Sequence, residues 1–203
     1  MEATIEQIKE LRARTGAGVG AVKEALEFSN GDNDKAIQYL REKGLAKATK
    51  RAGKQADNGI LGVYVHGDHR MSVIVEVATE TDFAARGEEV RKFADDIALH
   101  IAAMDPQYVS VESIPAEILE NEKKTFASDV EGKPAEIAEK IIAGKLEKFY
   151  ADTVITYQKL FSDETKTVKD YMNELVAKIG EKVEITRFVK VKIAAPANSC
   201  NIK

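Results

Sequence analysis

The sequence predicts an α+β protein: an N-terminal three-helix module, then a core domain with a three-stranded antiparallel sheet packed against helices. Three observations predict it. Apolar residues recur at helical spacing between Ile5 and Leu40, two alternating segments flank a polar loop at 66–70, and a third alternating segment, 183–193, closes the chain.

Thr4 and Gln7 have the spacing of a capping box and open the first helix through Ile8 and Leu11, which Thr15-Gly16 should stop. A second helix carries Val19, Val22, Ala25 and Leu26 on one face and ends at Ser29-Asn30-Gly31. Asp32 can then cap a third, bearing Ala36, Ile37 and Leu40, with Gly44 expected to close it. Residues 47–58 show little periodicity and read as a linker. The expected division is therefore 1–54, a docking module with its basic linker, and 55–203, an α+β core with a C-terminal tail.

From Gly59 the period changes from helical to alternating. Ile60 to Val65 and Met71 to Ala78 are two strands, joined by His66-Gly67-Asp68-His69-Arg70. Val90, Phe93, Ala94, Ile97, Ala98 and Ile101 then mark a core-facing helix that Asp105-Pro106 stops. Pro115 and Pro134 stand at the starts of two further helices, the second carrying Ile137, Ile141, Ile142, Leu146 and Phe149. A last helix spans Val168 to Ile179 and ends at Gly180. The closing strand has its alternation broken at Arg187, and it can return to pair with the hairpin.

Between the second strand and the long helix, Thr81-Asp82-Phe83-Ala84-Ala85-Arg86 reads as a short helical turn, which puts a phenylalanine where burial should end. Local sequence alone leans toward Phe83 folding back into the core, with a ring presented outward as the alternative. Asp82 could cap this turn or face a partner.

With 44% apolar and 32% charged residues in a chain of 203, the composition is that of a globular protein with a sizeable core. A net charge of −4 lacks the basic excess of a nucleic-acid binder. Lys47, Lys50, Arg51 and Lys54 resemble a solvated linker more than a binding stripe, although a few phosphate contacts could give weak RNA binding as the alternative role. No membrane span or signal segment is evident, so the chain reads as cytoplasmic. A single cysteine, Cys200, excludes an internal disulfide; it could bridge only to another chain.

Catalytic machinery is not evident. Gly16, Gly18 and Gly20 follow a helix and lack the Gly-Lys-Ser/Thr ending of a phosphate loop. His66 and His69 have no evident further ligands, so neither a metal nor a cofactor is expected. The adjacent pairs Asp95-Asp96 and Glu88-Glu89 point to different helix faces and make poor acid/base pairs, and His100 reads as a partly buried helix residue.

Several motifs resemble the elongation factor Ts family. They are Leu11-Arg12-Ala13-Arg14-Thr15-Gly16-Ala17-Gly18 with Lys23-Glu24-Ala25-Leu26, Asn30-Gly31-Asp32 with Ala36-Ile37, Glu80-Thr81-Asp82-Phe83, His100-Ile101-Ala102-Ala103, Lys133-Pro134, and the run from Glu139 to Phe149. The resemblance runs from about residue 4 to 193. It implies a ubiquitin-associated-like first module and an exchange factor that releases GDP from elongation factor Tu. Thr81, Asp82, Phe83 and Ala84 would enter that GTPase and disturb its magnesium site. It also implies the short, single-core form, which pairs as a homodimer. Val19-Gly20-Ala21-Val22, Ala84 and Gly87 depart from the family's usual residues, while Asp82 and Phe83 do not.

Overall fold

The computed structural model describes residues 3–128, 130, 132 and 134–193. Cys200 lies outside the described residues. Helices α1 (Ile5–Thr15), α2 (Val19–Phe28) and α3 (Asn33–Arg51) come first, followed by strands β1 (Asn58–Val65) and β2 (Met71–Thr79). Then come a one-turn helix α4 (Asp82–Ala85), α5 (Glu88–Met104), α6 (Ala116–Ser128) and α7 (Ala135–Thr153). A small ribbon β3 (Lys159–Leu160) and β4 (Asp163–Thr167), helix α8 (Val168–Ile179) and strand β5 (Val183–Lys192) complete the order. The main sheet is antiparallel, ordered β1-β2-β5 and packed against helices, so the expected α+β class is the one found.

Two compact units emerge. Among the described residues, one comprises 3–60 with 77–93 and 170–184, and the other comprises 61–76, 94–169 and 185–193.

In the first unit, the Thr4–Gln7 capping box forms as its spacing requires, and Gly16 adopts φ 66° to end α1. Asp32 accepts from the amides of Asp34 and Lys35 and so caps α3. Leu11, Val22, Ala25, Leu26 and Ala36 form a small core, flanked by Ile8, Ile37, Tyr39 and Leu40. Val19 is exposed instead of sharing that face, because it stands in the first turn of its helix.

Helix α3 does not close at Gly44. It runs on to Arg51, which makes the first part of the expected linker helical. Gly44 is buried here, where a Cβ would meet Ala177 Cβ at 3.4 Å and Asn173 O at 3.5 Å. Those are ordinary van der Waals distances to α8, so the glycine lies within the helix without being required there, a placement that sequence spacing does not separate from a helix-ending one.

In the second unit, His66 N–H donates to Met71 O at 2.9 Å across the hairpin loop. Gly62 of β1 lies against α5, where a Cβ would come within 2.2 Å of Ala94 O. Tyr108, Ile114 and Val154 form a second small core with Leu119, Phe149 and Tyr150. Ile137 of α7 is exposed, and Ile141, Ile142 and Leu146 are only partly covered.

His100 is fully buried, more so than its expected placement. Its Nε2 pairs with Gln158 Oε1 at 2.9 Å, and its Nδ1 accepts from Phe161 N–H at 3.1 Å, which ties α5 to the β3–β4 turn. Burial pushes its pKa below the usual histidine value, against a smaller opposing effect of Gln158.

The β5 phase does break at Arg187. Val183 and Ile185 are buried, Thr186 and Arg187 are both exposed, and Phe188 becomes the next buried residue. Val191 and Ile193 are consequently exposed.

Candidate functional site

Strand β2 delivers the chain to a corner whose polar groups bond to one another and to distant segments. Thr79 is buried, and its hydroxyl donates to Thr81 O at 2.8 Å. Thr81 has extended backbone, φ −126° and ψ 156°, and its Oγ1 accepts from Ala84 N–H at 3.2 Å. That bond makes Thr81 the N-cap of α4.

Asp82 is therefore not the cap. Its carboxylate pairs with Arg86 at 3.0 Å, one turn along, and both side chains are mostly exposed. Such a pair contributes at most about 0.5 kcal/mol, so Asp82 is held lightly and remains open to a partner.

Ala85 is the buried foot of the turn. Phe83, two residues before it, points the other way and is 85% exposed. The leaning of local sequence toward a buried ring is thus overturned. A single helical turn cannot bury both of these positions, and the small Ala85 occupies the inward one, which leaves the outward one to Phe83.

Two further segments hold the corner from behind. Thr81 N–H donates to Glu181 Oε2 at 3.1 Å, and the Thr81 hydroxyl lies 3.0 Å from both Glu181 oxygens. Reciprocally, Glu80 Oε1 accepts from Lys182 N–H at 2.7 Å. Arg51, at the end of α3, places its Nη1 2.9 Å from both Glu80 oxygens, and Asn58 Nδ2 donates to Glu80 O at 2.9 Å. The Lys182 amide first, and then Arg51, hold the Glu80 carboxyl below its usual pKa range.

Sequence reasoning missed these supports. Glu181 stands 100 residues from Thr81, and the sequence groups Arg51 with a cluster that resembles a solvated linker. Within that cluster, Lys47 Nζ also has an intramolecular acceptor, Ala177 O at 3.4 Å, while Lys50 and Lys54 are exposed. Among the described residues no group of three or more His, Cys, Asp or Glu is placed to hold a metal ion. No helix among them is long and apolar enough to cross a membrane.

The fold and the corner together present Phe83 as an exposed aromatic side chain on a hydrogen-bonded turn. A profile described as Elongation factor TS matches residues 6–175. Elongation factor Ts of Acetivibrio thermocellus is 50% identical over 189 residues, covering 92% of this chain and 88% of its own. The Fervidobacterium nodosum protein of the same name is 45% identical over 195 residues, covering 95% and 99%, and that of Thermotoga maritima is 45% identical over 193, covering 95% and 97%. The chain belongs to the elongation factor Ts family and is a translation elongation factor.

Proposed function

We propose that this protein is a guanine-nucleotide exchange factor for elongation factor Tu, and that Thr81, Asp82, Phe83 and Ala84 form the part that enters the GTPase. An exchange factor acts by differential affinity. It must bind the nucleotide-free partner more tightly than the nucleotide-bound one, and reciprocity then lowers the nucleotide's affinity by the same factor. No covalent step and no cofactor are required.

The observation that carries this reading is the 85% exposure of Phe83 on a corner whose backbone and hydroxyl groups are hydrogen-bonded. An exposed aromatic ring is an unfavourable element of a free surface, and it becomes favourable when a partner covers it. Burying one Phe is worth about 1.5–3 kcal/mol, on the order of 10- to 150-fold in affinity. As a wedge, the ring would displace side chains near the bound magnesium and so loosen the phosphates. Thr81 shapes the turn, Asp82 offers a carboxylate beside the ring, and Ala84 leaves room around it.

Residues 1–54 would act as the separate docking module, ubiquitin-associated-like in its three helices, and 55–203 as the core. Docking and wedge are joined more stiffly than a flexible linker would join them, because α3 continues to Arg51 and Arg51 grips Glu80. Pairing of two chains is supported by the main sheet, on which Leu61, Val63, Val65, Ile74 and Val191 are exposed. We assign that apolar face to a second copy, and the working compartment to the cytoplasm.

Release of labelled GDP from elongation factor Tu tests the activity. Adding this protein is expected to accelerate release at catalytic concentrations; an unchanged rate would remove the exchange reading.

A further inference from the structure

We propose that Glu181, together with Glu80, is a positioning residue for Phe83: the two carboxylates form a reciprocal clamp that fixes the direction in which the ring leaves the surface. The inference rests on the exchange reading of the corner. Its geometry is a two-rung exchange between segments 80–81 and 181–182. The Glu80 side chain accepts from the Lys182 backbone, and the Glu181 side chain accepts from the Thr81 backbone.

A helix of four residues cannot hold itself, since nucleating one turn is unfavourable without outside contacts. Thr81 is exposed, so packing does little to fix it. What remains is hydrogen bonding. The Thr81 hydroxyl is used in both directions, accepting from Ala84 N–H and facing the Glu181 carboxylate as donor. Bonds to an ionised acceptor are about twice as strong as neutral ones, so Glu181 is the dominant constraint on the N-cap two residues before Phe83.

Glu181 is in turn placed by the turn after α8, where Gly180 takes φ 77°. Arg51 holds the other rung from α3. Removing Glu181 leaves water to satisfy Thr81 N–H, so the fold should persist. The ring would then sample more directions, and the freedom lost on insertion would count against the complex.

The test compares Glu181→Ala, Glu181→Gln and Phe83→Ala in release of labelled GDP from elongation factor Tu, across a concentration series of each variant. Glu181→Ala should lower the release rate at saturation about tenfold, while the half-saturating concentration moves less than about threefold. Glu181→Gln keeps one acceptor oxygen and should slow release about threefold. Amide hydrogen exchange should rise at Thr81 and Ala84 in both Glu181 variants and stay unchanged at Val75 and Val77.

Slow release by Phe83→Ala with wild-type rates in both Glu181 variants would overturn the clamp and leave the wedge standing. Wild-type release by Phe83→Ala would overturn the wedge, whatever Glu181 does. If Glu181→Ala does not fold, Glu181→Gln decides, with a wild-type rate and unchanged Thr81 exchange counting against the clamp.

Discussion

At the scale of single residues, neighbouring sequence and distant sequence contribute different things. Thr81-Asp82-Phe83-Ala84 was legible as a turn from its place between an alternating strand and a helical period, but the direction of Phe83 was not. That direction is set by Ala85 packing inward and by Glu181, and no local pattern reports a partner 100 residues away. His100 illustrates the same limit, since its helix was legible and its Gln158 and Phe161 partners were not. Those partners give it a measurable signature. The neutral ring donates through Nε2 and accepts through Nδ1, and protonating Nδ1 would set two N–H groups against each other. Because its folded pKa is depressed, the unfolded chain takes up the proton first as pH falls. The contribution of His100 should be fully present above its unfolded pKa of about 6.5 and be lost progressively below it. Urea unfolding between pH 8 and 5 checks this: His100→Gln should start less stable by about 1–3 kcal/mol and lose less on acidification than the wild type. Parallel pH curves for the two proteins would count against it.

At the scale of elements, caps were the most readable features and glycines inside an element the least. Thr4, Gly16 and Asp32 mark helix ends through local hydrogen bonds, and each is where its spacing placed it. Gly44 lies within its helix instead of ending it, and a glycine that ends a helix and one that lies within it are the same letter. The pair Gly44 and Gly62 separates a tolerated glycine from a required one experimentally. At Gly44 a Cβ makes ordinary contacts, so Gly44→Ala should gain helix propensity and stabilise by up to about 1 kcal/mol. At Gly62 the Cβ would overlap backbone of α5, so Gly62→Ala should destabilise by about 1–3 kcal/mol through overpacking. Thermal unfolding of the two variants, one shifted up and one down, is the check. The β3–β4 ribbon was not predicted, since its first strand has only two residues and no period can appear in them. In β5 the break at Arg187 was readable, but its consequence, the inward turn of Phe188, needed the sheet.

At the scale of the whole molecule, the α+β class followed from the change of period at Gly59, because an alternating pair and a returning strand make a small sheet whose apolar face the helical segments must cover. The sheet's outer apolar face is the surface proposed to pair with a second copy. Leu61→Lys combined with Ile74→Lys should convert the proposed dimer into monomer at micromolar concentration, with sedimentation velocity as the measurement; a monomeric wild type would overturn the pairing, and a dimer unchanged by the substitutions would place the interface elsewhere. The central claim is narrower. Phe83 contributes little to its own fold, so Phe83→Ala should change stability by less than about 0.5 kcal/mol. Stimulated release of labelled GDP from elongation factor Tu by that variant should be slower than with the wild type by about 10- to 150-fold. A folded Phe83→Ala protein that releases GDP at the wild-type rate would contradict the account.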